Sequence, residues 1–150
     1  MPDSSVVQKA WAELTTDELY ALLKLRTDVF FVEQRIDEEE LDNRDQEPST
    51  THFWIADDFG TAAYLRTIVD AEPEYKDARA TFGRVAVRAD RRGEGLAQVL
   101  IERAIAHLGD QPLYLHAQSY VAPLYAKYGF ATYGEEYIEA SLPHIGMYRP

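Results

Sequence analysis

Leu19, Leu22, Leu23, Val29 and Phe30 recur at helical spacing, so the chain is predicted to form a helix of about four turns there with one apolar face. Thr15 and Glu18 precede the run in capping-box spacing, which places the helix start. Before it, a short apolar-polar alternation around Trp11 to Leu14 reads as a strand. From Ile36 to Thr50 the chain is acidic, holds Pro48 and has no period, so a loop is expected. His52 to Ala56 and Ala62 to Val69 are apolar and β-branched around Asp57, Asp58 and Gly60, the pattern of a hairpin. A polar gap from Asp70 to Arg79 leads into a strand over Thr81 to Arg88.

From Gly95 the period becomes helical. Leu96, Val99, Leu100, Ala104 and Leu108 share a face, and Gly109 stands where a helix C-terminal glycine belongs. Leu113 to Ala117 suits a buried strand. Ser119 is placed to cap a further helix with Pro123 in its first turn and Gly129 at its end. Strands near Ala131 and from Glu136 to Tyr148 close the chain. The order describes a mixed α/β layer architecture with no internal repeat. The strand-helix-strand unit from Thr81 to Ala117 is expected to be a right-handed parallel crossover, and ligands favour the carboxyl ends of such strands.

Composition narrows the setting. With 150 residues, 46% of them hydrophobic, residues 1–150 are expected to be a single self-folding domain. The chain has no cysteine, which removes disulfides, thiolate metal sites and a cysteine nucleophile and makes a reducing, cytoplasmic setting the expectation. Met1 to Gln8 lack the pattern of a leader, and no window of eighteen apolar residues occurs, so secretion and membrane insertion are not expected. His52, His107, His116 and His144 show no metal-ligand spacing, and no metal is expected. A formal net charge of -11 argues against nucleic acid as a partner. Against that background Arg84, Arg88, Arg91 and Arg92 form a basic island.

The island belongs to the most informative stretch, Val85 to Ala97: a strand, a basic glycine turn and a helix start. Unpaired amides at a helix N-terminus carry partial positive charge, and Gly93 and Gly95 let them approach an anion such as a pyrophosphate. A tight turn with solvated arginines is the alternative. The chain has no Gly-Lys-Ser or Gly-Lys-Thr, and the sixth residue counting from Gly93 is Gln98, so neither a Walker loop nor a dinucleotide fingerprint is present. What fits Arg92, Gly95 and Ala97 is the acyl-CoA loop pattern of the GNAT N-acetyltransferase superfamily, Arg or Gln, two residues, Gly, one residue, Gly or Ala. Leu124 to Phe130 is similar to a second signature of that superfamily, an aromatic pair followed by Gly-Phe. Gln118 stands seven residues before Tyr125, where many members carry a cofactor-contacting Asn.

Arg26 to Gln34, Ala63 to Arg66, Gly83 to Val85, Ala117-Gln118 and Pro143 to Met147 together resemble the ElaA-like branch of the superfamily, across nearly the whole chain. The chain departs from that branch in the charge of Asp37 to Asp45 and in His116, where a small residue is usual. The resemblance implies an acyl-CoA N-acyltransferase (GNAT) fold, α/β in class, with a twisted mixed sheet splayed in the middle and flanked by helices. Acetyl-CoA would lie in the gap and give its acyl group to a primary amine of a small molecule or peptide. Val85, Ala86 and Val87 would hold the pantetheine arm through their backbone, with Val85 and Val87 polarising the thioester carbonyl. Backbone amides of Arg92, Gly93, Glu94, Gly95, Leu96 and Ala97 would take the pyrophosphate, Gln118 would contact the cofactor, and Tyr125 would protonate the departing thiolate.

For each catalytic candidate a plainer reading stays open. Tyr125 shares a helix face with Val121 and Tyr128 and reads equally as a core tyrosine. Glu33 is a base candidate or a surface residue, and His144 a neutral-range base or a hydrogen-bonded structural histidine. Arg66 and Arg84 would bind an acidic acceptor or pair with Glu33. The acidic run from Asp37 is read as a solvated loop, or as an attractor of a cationic amine. A non-catalytic acyl-CoA-sensing module of the same fold is the rival to an enzyme, and a symmetric homodimer is the expected form of any self-association.

Overall fold

The computed structural model describes residues 6–150, so Met1 to Ser5, part of the stretch read for a leader, lie outside the described residues. Seven strands form one sheet: β1 (Val6–Ala10), β2 (Thr51–Asp57), β3 (Gly60–Val69), β4 (Ala80–Val87), β5 (Leu113–Gln118), β6 (Ala131–Glu139) and β7 (Leu142–Arg149), in the order β1-β2-β3-β4-β5-β7-β6. Helix α1 (Thr16–Arg26) follows β1, α2 (Leu96–Leu108) joins β4 to β5, and the short α3 (Ala122–Ala126) follows β5. The architecture is α/β in class, one mixed sheet flanked by helices, as the order of elements implied. Among the described residues no helix is long and apolar enough to cross a membrane.

Adjacent residues of a strand face opposite sides of its sheet, and β3 builds two cores accordingly. Leu65 faces α2, packing with Leu100, Ile101 and Ala104 and with Leu113 and Leu115 of β5. Tyr64 faces α1, packing with Leu22, Leu25, Val29, Trp54 and Ala86. Fully burying each aliphatic side chain is worth about 1.5–3 kcal/mol, which fixes both helices against the sheet.

At β4 the sheet is deliberately irregular. Tyr64 pairs with Ala86 but Arg66 pairs with Gly83, so Arg84 and Val85 stand opposite Leu65 alone. This β-bulge holds Arg84 at φ +55°, a left-handed value uncommon for a residue with a side chain. On its other side β4 parts from β5 before the bulge is reached: their parallel pairing consists of Ala80 with Leu113 and Thr81 with Tyr114.

Several expectations need correction. The first strand is Val6–Ala10, and Trp11–Glu13 is a 3-10 turn. Its alternation is produced by local closure: the Ala10 amide donates to the Glu13 carboxylate at 2.8 Å and the Leu14 amide to the Trp11 carbonyl at 3.1 Å. The helix after the capping box is α-helical only to Arg26 and continues as a π-helix over Thr27–Glu33. Thr27 Oγ1 donates to the Leu23 carbonyl at 2.8 Å at that junction, a back-bond that competes with the regular ladder. Ser119 does not cap α3: its hydroxyl is buried with no hydrogen-bond partner among the described residues. The segment from Glu136 to Tyr148 is not one strand but turns back at Ala140 and Ser141, both left-handed at φ +52° and +65°.

Candidate active site

Where β4 and β5 separate, a cleft of about 500 Å³ opens. Its walls are Phe82 to Val85 of β4, Tyr114 to Gln118 of β5, Tyr120 to Tyr125 around α3, and the 36–44 loop. The β4-β5 pairing ends at Thr81 and Tyr114, so Val85, beside the bulge that β4 makes against β3, has no paired strand on its β5 side.

One wall includes Ala97, in the first turn of α2 just after the glycine turn. Gly93 and Gly95 sit at φ +84° and +80°, and Gly95 is the residue from which α2 starts, with no side-chain cap on its first amides. A Cβ built on either glycine would meet nothing within 4 Å, so the loop faces open space. Left-handed glycines, uncapped amides and a helix N-terminus suit the oxygens of a pyrophosphate, and the strand gap suits a narrow arm leading from it to the thioester.

The basic island is not a free patch. Arg88 bonds Asp57 and Asp90, and Arg91 bonds Asp57 and Glu94. Arg92 donates from Nε to the Val87 carbonyl at 3.1 Å and from Nη1 and Nη2 to the Glu33 carboxylate at 2.5 and 2.6 Å. Glu33 therefore sits at the glycine turn, outside the cleft lining, and the Arg92 hydrogen bonds hold its carboxyl below the usual range. That pairing makes it a poor acceptor of a substrate proton. Ala86 is buried against α1, and Leu96, the first residue of α2, is buried in the core between α2 and the sheet, so both could serve a ligand only through their backbone.

Val85, Ala97, Gln118, Tyr125 and His144 do converge on the cleft. The Gln118 side-chain amide donates to Gln34 Oε1 at 3.3 Å. Tyr125 is 8% exposed, its ring edge-on to Phe82 and Phe130, and its hydroxyl has no hydrogen-bond partner among the described residues. Burial, with a smaller contribution from Tyr120, pushes its pKa up to about 12, so the phenol stays protonated through the neutral range. His144 is buried beside the cleft with Nδ1 2.8 Å from the Leu142 carbonyl. A carbonyl only accepts, so Nδ1 carries the proton and Nε2 keeps a lone pair in the neutral ring.

The other end of the cleft was not legible in the sequence. Arg26 of α1 binds Glu40 and Asp45, Arg66 of β3 binds Asp45 and Asp42, and Arg84 of the bulge binds Asp42 and Glu40. Three arginines and three carboxylates thus alternate in a closed ring. Arg26 is wholly buried, with its guanidinium 5.5 Å from the Tyr64 ring centroid, and Asp45 and Arg66 are buried too. His52 Nε2 donates to the Asp45 carbonyl at 2.9 Å and its Nδ1 accepts from Tyr64 at 2.7 Å. Burial alone would raise the carboxyls of Asp42 and Asp45, but the arginines outweigh it and hold both below the ordinary range. Of the acidic loop, Glu40, Asp42 and Asp45 are therefore bonded into a wall while the side chains of Asp37, Glu38 and Glu39 stay exposed, and Arg66 and Arg84 pair with this wall, not with Glu33.

Comparisons with known proteins agree with this geometry. A family model described as the Acetyltransferase (GNAT) domain matches residues 13–149. A UPF0039 protein of Mycobacterium tuberculosis is 35% identical over 150 residues, 98% of this chain and 94% of that protein. The crystal structure of Escherichia coli ElaA superposes with a TM-score of 0.84 at 32% identity, covering 97% of this chain and 98% of the other. An acyl-CoA N-acyltransferase structure from Pseudomonas aeruginosa gives 0.86 at 40% identity, with 97% and 98% covered.

Proposed function

Since the chain belongs to the acetyltransferase (GNAT) family, in its ElaA-like branch, we propose that it moves an acetyl group from acetyl-CoA onto a primary amine of a small molecule or peptide. The observation that carries this reading is the cleft itself. It runs from Ala97 in the first turn of α2, past Val85 and Tyr125, to a polar end holding His144, and the left-handed Gly93 and Gly95 immediately precede that turn. Backbone amides from Arg92 to Ala97 take the pyrophosphate. Val85 and Val87 hold the pantetheine arm, Arg92 yielding the Val87 carbonyl, and a backbone amide at the bulge stabilises charge on the thioester oxygen. Gln118 borders the arm. Tyr125 hydrogen-bonds the sulfur as the carbon-sulfur bond breaks, and His144 Nε2 takes a proton from the attacking nitrogen. Glu33 serves the loop through Arg92 in preference to acting as a base. The absence of cysteine supports work in the cytoplasm.

The test is a thiol-release screen of primary amines with acetyl-CoA. Amine-dependent thiol release is expected. Stabilisation by acetyl-CoA with no release on any amine would favour the sensing module instead.

The loop is tested separately. Gly95→Val is expected to abolish the rise in Tm that acetyl-CoA gives the wild type. Its side chain would meet no protein atom but would fill the space the pyrophosphate needs. The left-handed φ adds a cost of about 1–3 kcal/mol, a fall in unliganded Tm of roughly 2–10 °C. An acetyl-CoA shift equal to that of the wild type would remove the loop assignment.

A further inference from the structure

His116, Glu74 and Tyr137 come from three segments of the chain and meet beside the cleft. His116 lies on β5 and lines the cleft, its side chain 41% exposed. Its Nε2 is 3.4 Å from Glu74 Oε2, and its Nδ1 is 2.9 Å from the Tyr137 hydroxyl. Tyr137 in turn stacks on the His144 ring, with centroids 5.9 Å apart and planes 27° apart. One tyrosine thus spans two histidines that line the same cleft. Other groups on this side are Glu139, which also lines the cleft, Tyr114, edge-on to His116 and hydrogen-bonded to Asp70, and Tyr133, whose ring lies against Gly146 of β7. Glu74 has no Lys or Arg partner among the described residues, so its charge is free to act on the imidazole.

We propose that His116 takes the first proton from a cationic amine, Glu74 holding the imidazolium that results and Tyr137 fixing the ring. The inference rests on the acyl-transfer reading and adds to it a residue for which the chemistry has a need. An alkylamine arrives as an ammonium, since such groups have a pKa of roughly 10, and leaves as an amide with one N–H. Two protons must depart from nitrogen. With Nδ1–H donating to the Tyr137 hydroxyl, Nε2 keeps the lone pair that receives a proton from an approaching ammonium, and Glu74 at 3.4 Å, too far for a good hydrogen bond, attracts the imidazolium once it forms. The ammonium N–H bond breaks, the Nε2–H bond forms, and the pair left on nitrogen attacks the thioester carbon. His144 Nε2 accepts the second proton while Tyr125 serves the departing sulfur. Two protons are gained by histidines and one is given to sulfur, so one is released to solvent per turnover.

The test uses the full chain, acetyl-CoA and two amines: ethylamine, cationic at neutral pH, and 2,2,2-trifluoroethylamine, already neutral there. His116→Gln is expected to lose about 10²-fold in turnover on ethylamine, as general-base removal commonly does, and less than about threefold on the trifluoro amine, which needs no first deprotonation. Glu74→Gln, which leaves the imidazole in place, is expected to lose about tenfold on ethylamine alone; it serves as the second variant if His116→Gln fails to fold. Equal losses on both amines, or none on either, would overturn the relay. Silence of the wild type on both and on every amine of the screen would instead overturn the acyl-transfer reading, and this inference with it; where the screen gives an acceptor, the same comparison is made on it and on its β-fluorinated analogue.

Discussion

Tyr125→Phe is expected to lower turnover by about 10²-fold while leaving Tm and the acetyl-CoA-induced shift close to wild type. The ring stays, so the edge-on contacts with Phe82 and Phe130 survive. The hydroxyl makes no hydrogen bond among the described residues, so its removal strands no buried partner. Its pKa, pushed up to about 12 by burial, also shapes the role. A free thiol has a pKa of about 8.5, so outright transfer from such a phenol to a thiolate is uphill; the hydroxyl acts chiefly by hydrogen-bonding the sulfur as charge grows there. Loss of activity through Tyr125 ionisation is therefore not expected in the neutral or mildly alkaline range. A large fall in Tm would assign Tyr125 to the core instead. Full turnover on a verified acceptor, with chemistry rate-limiting, would leave water to protonate the thiolate.

Features written in a few neighbouring residues were legible without the structure. Thr15 and Glu18 make both bonds of the capping box, at 2.9 and 3.1 Å. Gly95 and Gly109 bound α2, and the Asp57 to Gly60 turn closes the β2-β3 hairpin. Where local chemistry was atypical, the reading slipped. Two-residue hairpins favour Asn-Gly or Asp-Gly because both positions need positive φ, and Ala140-Ser141 gives no such signal. Long-range chemistry was illegible for another reason. Arg26, Asp45, Arg66 and Arg84 look like separate surface charges until topology brings α1, β3, the bulge and the acidic loop together, and a run of carboxylates has no sequence mark that says whether it is solvated or bonded. The same holds for His116, which stood out only as an unusual residue until Glu74 and Tyr137 were found beside it.

The ring of charge sets the second large expectation. Arg26→Ala removes the wholly buried member and leaves Asp45 and Glu40 short of a partner in a desolvated site, so it is expected to cost about 3–5 kcal/mol. For a chain of this size that corresponds to a fall in Tm of roughly 6–20 °C. Exposed pairs such as Lys24 with Asp28 should contribute far less, because water screens them. The contrast follows from burial. Acid provides an independent check through Asp42 and Asp45, whose folded-state pKa values are held below their unfolded ones. Their stabilisation is complete above the unfolded carboxyl value of about 4 and is lost as pH falls toward the folded values. Wild-type stability, measured by denaturant melts, should therefore hold near neutrality and fall steeply below about pH 4. Arg26→Ala should start lower and lose less over that interval, because Asp45 no longer has its full set of cationic partners. The ring also fixes the loop that walls the acceptor end, so a folded Arg26→Ala chain is expected to raise KM for the amine while leaving the acetyl-CoA shift intact. A cost below about 1 kcal/mol would mean that the ring behaves as a set of surface pairs. A KM unchanged in a strongly destabilised variant would separate the ring from the acceptor site and leave it a purely structural clamp between α1 and the sheet.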